Sequence, residues 1–76
     1  MPALRSTHWR IQERIFLAYG FAFERQRGDH RMYGKPGIPR PVVIPAWPSV
    51  PVDFIMNNMH SAGMSRERYS ELLEKL

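Results

Sequence analysis

The chain has 76 residues, of which 43% are hydrophobic and none is cysteine, so its small core cannot be supported by disulfides or by a zinc–thiolate cluster. Its formal net charge is +4, divided into +5 for residues 1–40 (eight Lys or Arg against three Asp or Glu) and −1 for residues 41–76 (three against four). The basic half indicates either a phosphate-binding surface or a solvated basic face.

The first predicted element is a helix that Ser6 or Thr7 caps and that runs to about Tyr19. Gly20 follows at the position of a helix C-terminal glycine. Apolar residues at helical spacing predict one buried stripe, with Trp9 and Phe16 on its flank: Ile11, Ile15 and Ala18.

A strand is predicted next, over residues 21–27 (FAFERQR). Side chains alternate between the two faces of a strand. Phe21 and Phe23 therefore share one face, and Arg25 and Arg27 continue that face, so its buried part ends where the cations begin.

The pair Gly28-Asp29 is short enough to predict a tight hairpin turn. The second strand, residues 30–34 (HRMYG), follows it. Alternation places His30 and Met32 on one face of this strand, and Arg31 and Tyr33 on the other.

Six of the seven prolines lie between residues 36 and 51. The apolar segment PVVIP at residues 41–45 predicts a short third strand, and the proline-containing segments on either side predict constrained loops. Trp47 lies in the second of these loops and is interpreted as an anchor on the core.

Two helices are predicted to complete the chain. Asp53 caps the first, over residues 54–62, and Gly63 ends it; Ser65 caps the second, with Met64 and a residue inside the helix, Tyr69, as a hydrophobic staple. The order predicts an α+β fold in which helices cover one face of the sheet and leave the other available. The predicted apolar stripes are Ile55, Met59 and Ala62, then Tyr69, Leu72, Leu73 and Leu76.

No segment has the length of a membrane span. The longest near-apolar stretch, residues 15–23, has nine residues, whereas a span needs about twenty, and the first ten residues lack the apolar region of a signal peptide. We expect one domain over residues 1–76 that is soluble and cytoplasmic, with no membrane contact.

His30 is the candidate for chemistry. The three histidines are not within helical reach of one another and no cysteine or acidic cluster accompanies them, so we expect neither a metal site nor a cofactor. An imidazole can transfer protons near neutral pH. The hairpin around His30 is therefore either a basic surface with a structural histidine or a site where a polyanion is held beside a proton-transfer group. The cations near His30 are Arg25, Arg27, Arg31 and Lys35.

Three segments of the chain share their order and spacing with a known family. GFAFERQRGDHRMY has Gly-Phe at the helix exit, Arg-Gln-Arg on a strand, then Gly, His and an aromatic residue three positions later; VVIP and HSAGMSRERYSELL follow in register. Together they resemble the HicA toxin family (also called YcfA-like), small messenger-RNA interferases of bacterial toxin–antitoxin modules. The resemblance covers roughly residues 9–73.

This resemblance implies a fold similar to the double-stranded-RNA-binding domain, α-β-β-β-α, here with an additional C-terminal helix. It implies a metal-independent endoribonuclease that cleaves mRNA with a single catalytic histidine, matched by His30. It also implies neutralisation by a HicB-like antitoxin, with which the toxin can assemble into a higher-order complex. The residues expected to bind RNA are Arg25, Arg27, Gly28, Arg31 and Lys35.

Two features of the sequence depart from the family pattern. Asp29 stands where serine is usual, and its negative charge either stabilises a protonated imidazole or weakens RNA binding. The second helix usually begins Gly-Thr-Leu-Arg-Ser-Ile-Leu, whereas DFIMNNM lacks the arginine and has Asn58 at a usually apolar place. Two other functions stay open: a non-catalytic RNA-binding or partner-binding module on the same fold, and an interaction protein that uses Trp47 and the methionines of the second helix.

Overall fold

The computed structural model describes residues 3–76. Its elements are α1 (Trp9–Ala18), β1 (Ala22–Arg27), β2 (His30–Gly34), β3 (Val42–Pro45), α2 (Val52–Ala62) and α3 (Arg66–Glu74). The strands form one antiparallel sheet in the order β1-β2-β3, which makes β2 the central strand. The predicted α+β class, similar to the double-stranded-RNA-binding domain with an additional C-terminal helix, is confirmed. None of the helices within residues 3–76 is long and apolar enough to cross a membrane.

Helix α1 begins later than predicted. Thr7 forms an isolated antiparallel bridge with Val50, which keeps its backbone extended. The N-cap is instead His8, whose Nδ1 accepts a hydrogen bond from the Arg10 N–H at 3.2 Å, so the predicted cap at Ser6 or Thr7 is wrong. The predicted stripe is also displaced, because Ala18 is exposed and the buried side chains of α1 are Gln12, Ile15 and Phe16.

Helix α2 differs from its prediction only at its start. Pro51 is the N-cap residue, and Asp53 lies in the first turn without capping the helix. Its negative charge there interacts favourably with the positive end of the helix dipole. Gly63 ends the helix with a φ of 66°, a conformation that glycine adopts without strain. The predicted buried stripe is confirmed: Ile55, Met59 and Ala62.

Helix α3 begins as predicted. The Ser65 Oγ accepts a hydrogen bond from the Arg68 N–H at 3.1 Å, and the two staple residues, Met64 and Tyr69, are both buried. Helix α3 is also tied to α1, because the Gln12 Nε2 donates to the Tyr69 hydroxyl at 2.7 Å.

The register between β1 and β2 changes at a β-bulge. Phe23 pairs with Tyr33, whereas Arg25 pairs with Met32, the preceding residue on β2. Neighbouring residues on a strand face opposite sides, so the bulge moves Arg25 and Arg27 off the face that Phe23 occupies. The prediction that these arginines continue the phenylalanine face is therefore wrong.

The side chain of the bulge residue lies over a glycine of the neighbouring strand. Glu24 is the additional residue on β1, and its carboxylate fills the space that a side chain at Gly34 would need. A larger residue at position 34 would displace that carboxylate, which is the end of a flexible, exposed side chain.

The two faces of the sheet have different surroundings. One face packs against the helices through fully buried side chains: Tyr33, Val42 and Ile44 from the strands, with Ile15 and Phe16 from α1 and Ile55 from α2. The other face, called the basic face below, carries Arg25, Arg27, His30 and Met32. Its two arginines are exposed.

Asn58 of α2 closes the outer edge of β3. Its Nδ2 donates to the Val43 carbonyl oxygen at 2.8 Å, and its Oδ1 accepts from the Val43 N–H at 3.3 Å. The Asn58 side chain thus replaces a neighbouring strand and covers an edge that is otherwise open to pairing with another chain. This role explains a polar residue at a position where the sequence pattern favours an apolar one.

We predict that Asn58→Leu lowers the free energy of unfolding by about 1–3 kcal/mol, because both backbone groups of Val43 lose their partner. Urea denaturation measures this change. The matched control is Asn57→Leu at the exposed neighbouring position, which should change stability by less than about 0.5 kcal/mol. Equal losses in the two variants would contradict the role of Asn58.

Candidate functional site

His30 begins β2 on the basic face. Its partner across the hairpin is Arg27, and its partner on β3 is Pro45. The His30 side chain is 40% exposed. Two aromatic rings, Trp47 and Phe54, pack against its imidazole at steep interplanar angles, with centroid distances of 5.9 and 6.2 Å. The imidazole is thus open to solvent on one side and supported by the protein on the other.

Asp29 connects the imidazole to the loop after β3. Its Oδ1 lies 2.7 Å from the His30 Nδ1, and its Oδ2 accepts a hydrogen bond from the Trp47 Nε1–H at 2.6 Å. The hydrogen bonds from Trp47 and from His30 lower the pKa of Asp29 below its ordinary value, so the carboxyl group is ionised at neutral pH. The Ala46 N–H also donates to the Asp29 carbonyl oxygen at 2.6 Å, which ties the turn to the loop.

The hairpin turn brings the two exposed arginines and His30 to the same face. Of the two central residues of the turn, Gly28 has a φ of 58° and Asp29 does not have a positive φ. This arrangement is typical of a type II′ turn. The space above Gly28 is open, with no atom within 4 Å of where a Cβ would lie. Of the predicted site residues, the structure therefore brings together Arg25, Arg27, Gly28 and His30.

Arg31 points to the opposite face of the sheet, where its guanidinium is bonded to the protein. Its Nε donates to the Tyr33 hydroxyl at 2.9 Å, one terminal nitrogen donates to the Glu13 carboxylate at 3.1 Å, and the other to the Gln26 side chain at 2.8 Å. Burial, together with the hydrogen bond to Glu13, raises the pKa of Tyr33 to about 12. This network joins α1 to the two strands of the hairpin.

Two aromatic rings enclose the same guanidinium. The Arg31 Cζ lies 4.9 Å from the centroid of the Trp9 ring and 4.3 Å from that of Phe23, within the range of cation–π attraction. Phe23 is 46% exposed, so this contact accounts for an aromatic side chain on the surface of β1.

Lys35 lies beyond the end of β2, at the opposite end of that strand from His30. Its Nζ donates to the Tyr19 carbonyl oxygen at 2.8 Å and lies 4.3 Å from the centroid of the Tyr19 ring. Lys35 thus binds a carbonyl group at the C-terminus of α1, where a cation is favourable.

Apart from the adjacent residue Asp29, the side chains that contact the His30 imidazole lie in distant segments of the chain. Antiparallel pairing places the end of β3 beside the start of β2, which was the available signal for Trp47. The indole contacts Phe54 at a centroid distance of 5.5 Å, and the Trp47 carbonyl oxygen accepts from the Trp9 N–H at 3.1 Å. Trp47 is thus anchored to Phe54 and to the start of α1, and within residues 3–76 it is not one of the side chains packed directly against the buried core that the sequence interpretation had expected it to contact. No spacing in the sequence indicates that Glu13 reaches Arg31.

Comparison with known proteins identifies one family. The model described as "HicA toxin of bacterial toxin-antitoxin" matches residues 9–64, from the start of α1 to the residue before the cap of α3. No curated protein matches the chain.

We predict that Arg31→Lys destabilises the protein by about 1–3 kcal/mol, because an ammonium cannot reproduce three separately directed guanidinium bonds. Thermal or urea unfolding measures the change. Arg27→Lys is the matched control on the exposed face, where a loss of less than about 0.5 kcal/mol is expected. A similar small loss for Arg31→Lys would show that the network contributes little.

Proposed function

The chain belongs to the HicA toxin family, and from this premise we propose that it is a metal-independent endoribonuclease that cleaves mRNA as the toxin of a type II toxin–antitoxin module. The observation that carries the proposal is the basic face, where exposed Arg25 and Arg27 share one side of the sheet with a solvent-accessible His30. The proposed chemistry needs no cofactor.

His30 is proposed as the proton-transfer group. Cleavage of an RNA phosphodiester by its own 2′-hydroxyl requires a base for that hydroxyl, an acid for the leaving oxygen, and positive charge near the phosphate. An imidazole on an exposed strand end can serve one of the first two roles. The second role falls to water, to Asp29 or to a cation, and we therefore expect slow turnover.

Arg25 and Arg27 are proposed to supply the positive charge. Arg27 lies directly opposite His30 on the neighbouring strand, so a phosphate held between them is within reach of the imidazole. Gly28 adds a turn whose backbone a phosphate can approach. Contact of Arg31 and Lys35 with RNA stays a prediction from sequence, and their present hydrogen bonds with Glu13 and Tyr19 would compete with it.

The proposed partner is a HicB-like antitoxin that binds the toxin, with a higher-order toxin–antitoxin complex as a further expectation. A messenger-RNA substrate implies a cytoplasmic location. RNA binding without cleavage is the competing function, and the negative charge of Asp29 beside His30 is the observation that favours it.

We predict that His30→Gln lowers the rate of RNA cleavage by about 10²–10⁴-fold, because general acid–base catalysis contributes rate enhancements of that size. Cleavage of RNA by the purified protein in the presence of a metal chelator measures the rate. His60→Gln, an exposed substitution in the last turn of α2, is the control and should keep the parent rate. Equal cleavage by the His30 variant and its parent would exclude His30 as the catalytic residue, and binding without cleavage by the parent would favour the competing function.

We also predict that replacing both Arg25 and Arg27 with glutamine weakens RNA binding and lowers its dependence on salt. For single-stranded RNA the logarithmic salt slope should fall by about 0.7 per lost phosphate contact. Binding is measured across a salt series in the His30→Gln background, so that RNA is not cleaved. Arg14→Gln on the exposed side of α1 is the control. If the double arginine variant and this control had the same salt slope, the phosphate contacts would lie elsewhere.

A further inference from the structure

We propose that Asp29, itself held by Trp47, is a positioning residue that keeps a proton on Nδ1 of His30 and so leaves Nε2 as the atom that exchanges a proton with RNA. The catalytic part of this inference rests on the proposed ribonuclease function. The assignment of the imidazole proton does not, because it follows from hydrogen bonds within the protein.

The hydrogen bonds of Asp29 determine which imidazole nitrogen carries the proton. The Trp47 indole nitrogen always carries its hydrogen and can only donate, and it donates to the Asp29 Oδ2 at 2.6 Å. An ionised carboxylate can only accept. The other oxygen, Oδ1, lies 2.7 Å from the His30 Nδ1, so the hydrogen between these two atoms belongs to the imidazole. In the neutral ring Nε2 then carries the free lone pair.

Contacts on several sides hold the imidazole ring in one direction. The imidazole is fixed at Nδ1 by Asp29, and the rings of Trp47 and Phe54 pack against it at centroid distances of 5.9 and 6.2 Å. The hydrogen bond from the Ala46 N–H to the Asp29 carbonyl oxygen holds the carboxylate-bearing residue itself. No hydrogen bond within residues 3–76 involves Nε2, and the side chain is 40% exposed. Nε2 is therefore available to a substrate, while Nδ1 is occupied.

This arrangement gives Asp29 a role other than repelling phosphate. Both carboxylate oxygens are used by donors of the protein, one from Trp47 and one from His30. Such an acceptor fixes the tautomer and the orientation of an imidazole that acts as a base, as in the carboxylate–histidine pairs of hydrolases.

The variant Asp29→Asn tests the inference because it changes one acceptor into a donor. The amide oxygen must still accept from Trp47, so the amide NH₂ faces Nδ1 and the imidazole proton moves to Nε2. We expect ¹⁵N spectra, recorded above the ordinary titration range of histidine, to show hydrogen on Nδ1 in the parent and on Nε2 in Asp29→Asn. The cleavage rate should fall by on the order of 10²-fold, while RNA binding stays equal or becomes tighter because a negative charge is lost.

A second substitution checks that the loss arises from the tautomer and not from misfolding. In Asp29→Asn combined with Trp47→Phe, the obligate donor is gone and the aromatic packing is kept, so the amide can rotate and offer its oxygen to Nδ1. We expect the double variant to regain the Nδ1–H signal and about tenfold of the lost rate, the worth of one neutral hydrogen bond. Trp47→Phe alone should keep the Nδ1–H signal, because the carboxylate still accepts from it.

Two results would overturn the inference. One is an Nδ1–H signal that persists in Asp29→Asn, and the other is a double variant that stays as slow as Asp29→Asn and keeps its tautomer. The spectra are recorded without RNA, which separates the two proposals. A parent protein that shows the Nδ1–H signal but does not cleave RNA would overturn the ribonuclease function and with it the catalytic role of Asp29. A parent that cleaves RNA, but whose imidazole tautomer is the same in Asp29→Asn, would overturn the positioning role alone.

Discussion

Pairing on both sides of β2 determines the surroundings of every side chain in the basic hairpin. Because β2 lies between β1 and β3, its side chains cannot rotate to the other face without breaking two ladders of hydrogen bonds. Arg31 and Tyr33 are therefore committed to the network with Glu13 on α1, and His30 is committed to the basic face. A slip of one residue would exchange the two sets, so the same register that completes the core also exposes the imidazole.

Two substructures far apart in the sequence meet around His30. The hairpin turn supplies Asp29, and the loop after β3 supplies Trp47, which lies between prolines that restrict its backbone. The bonds of Asp29 with Ala46 and Trp47 join these two segments. The imidazole thus lies on a strand that is paired on both sides and next to a turn that is bonded to the loop after β3. Such support gives a reacting atom a defined position. The carboxylate that seemed unfavourable for phosphate is directed to donors of the protein.

The two buried polar side chains within residues 3–76 both connect elements of the fold. Asn58 binds the edge of β3 to α2, and Gln12 binds α1 to Tyr69 of α3. The second contact is informative because α3 lies outside the region matched by the HicA model. Its hydrogen bond with α1 and its buried leucine and tyrosine nevertheless make it part of the same core.

The sequence by itself determined the order of the elements, because apolar periodicity, the helix-ending Gly63 and the Ser65 cap act over a few residues and need no distant partner. It also identified His30 as the residue to test, through the cations around it together with the resemblance of the wider pattern to the HicA family. Only the tertiary structure decided which cations accompany that histidine. The bulge at Glu24 shifts the register between Phe23 and Arg25, so Arg25 and Arg27 lie on the basic face and not on the face of Phe23. Likewise, the start of α1 was decided by the bridge to Val50, and the neighbours of the imidazole by the pairing of β2 with β3. Local signals determine whether a segment forms a helix, a strand or a turn, whereas contacts between distant segments determine the direction of its side chains.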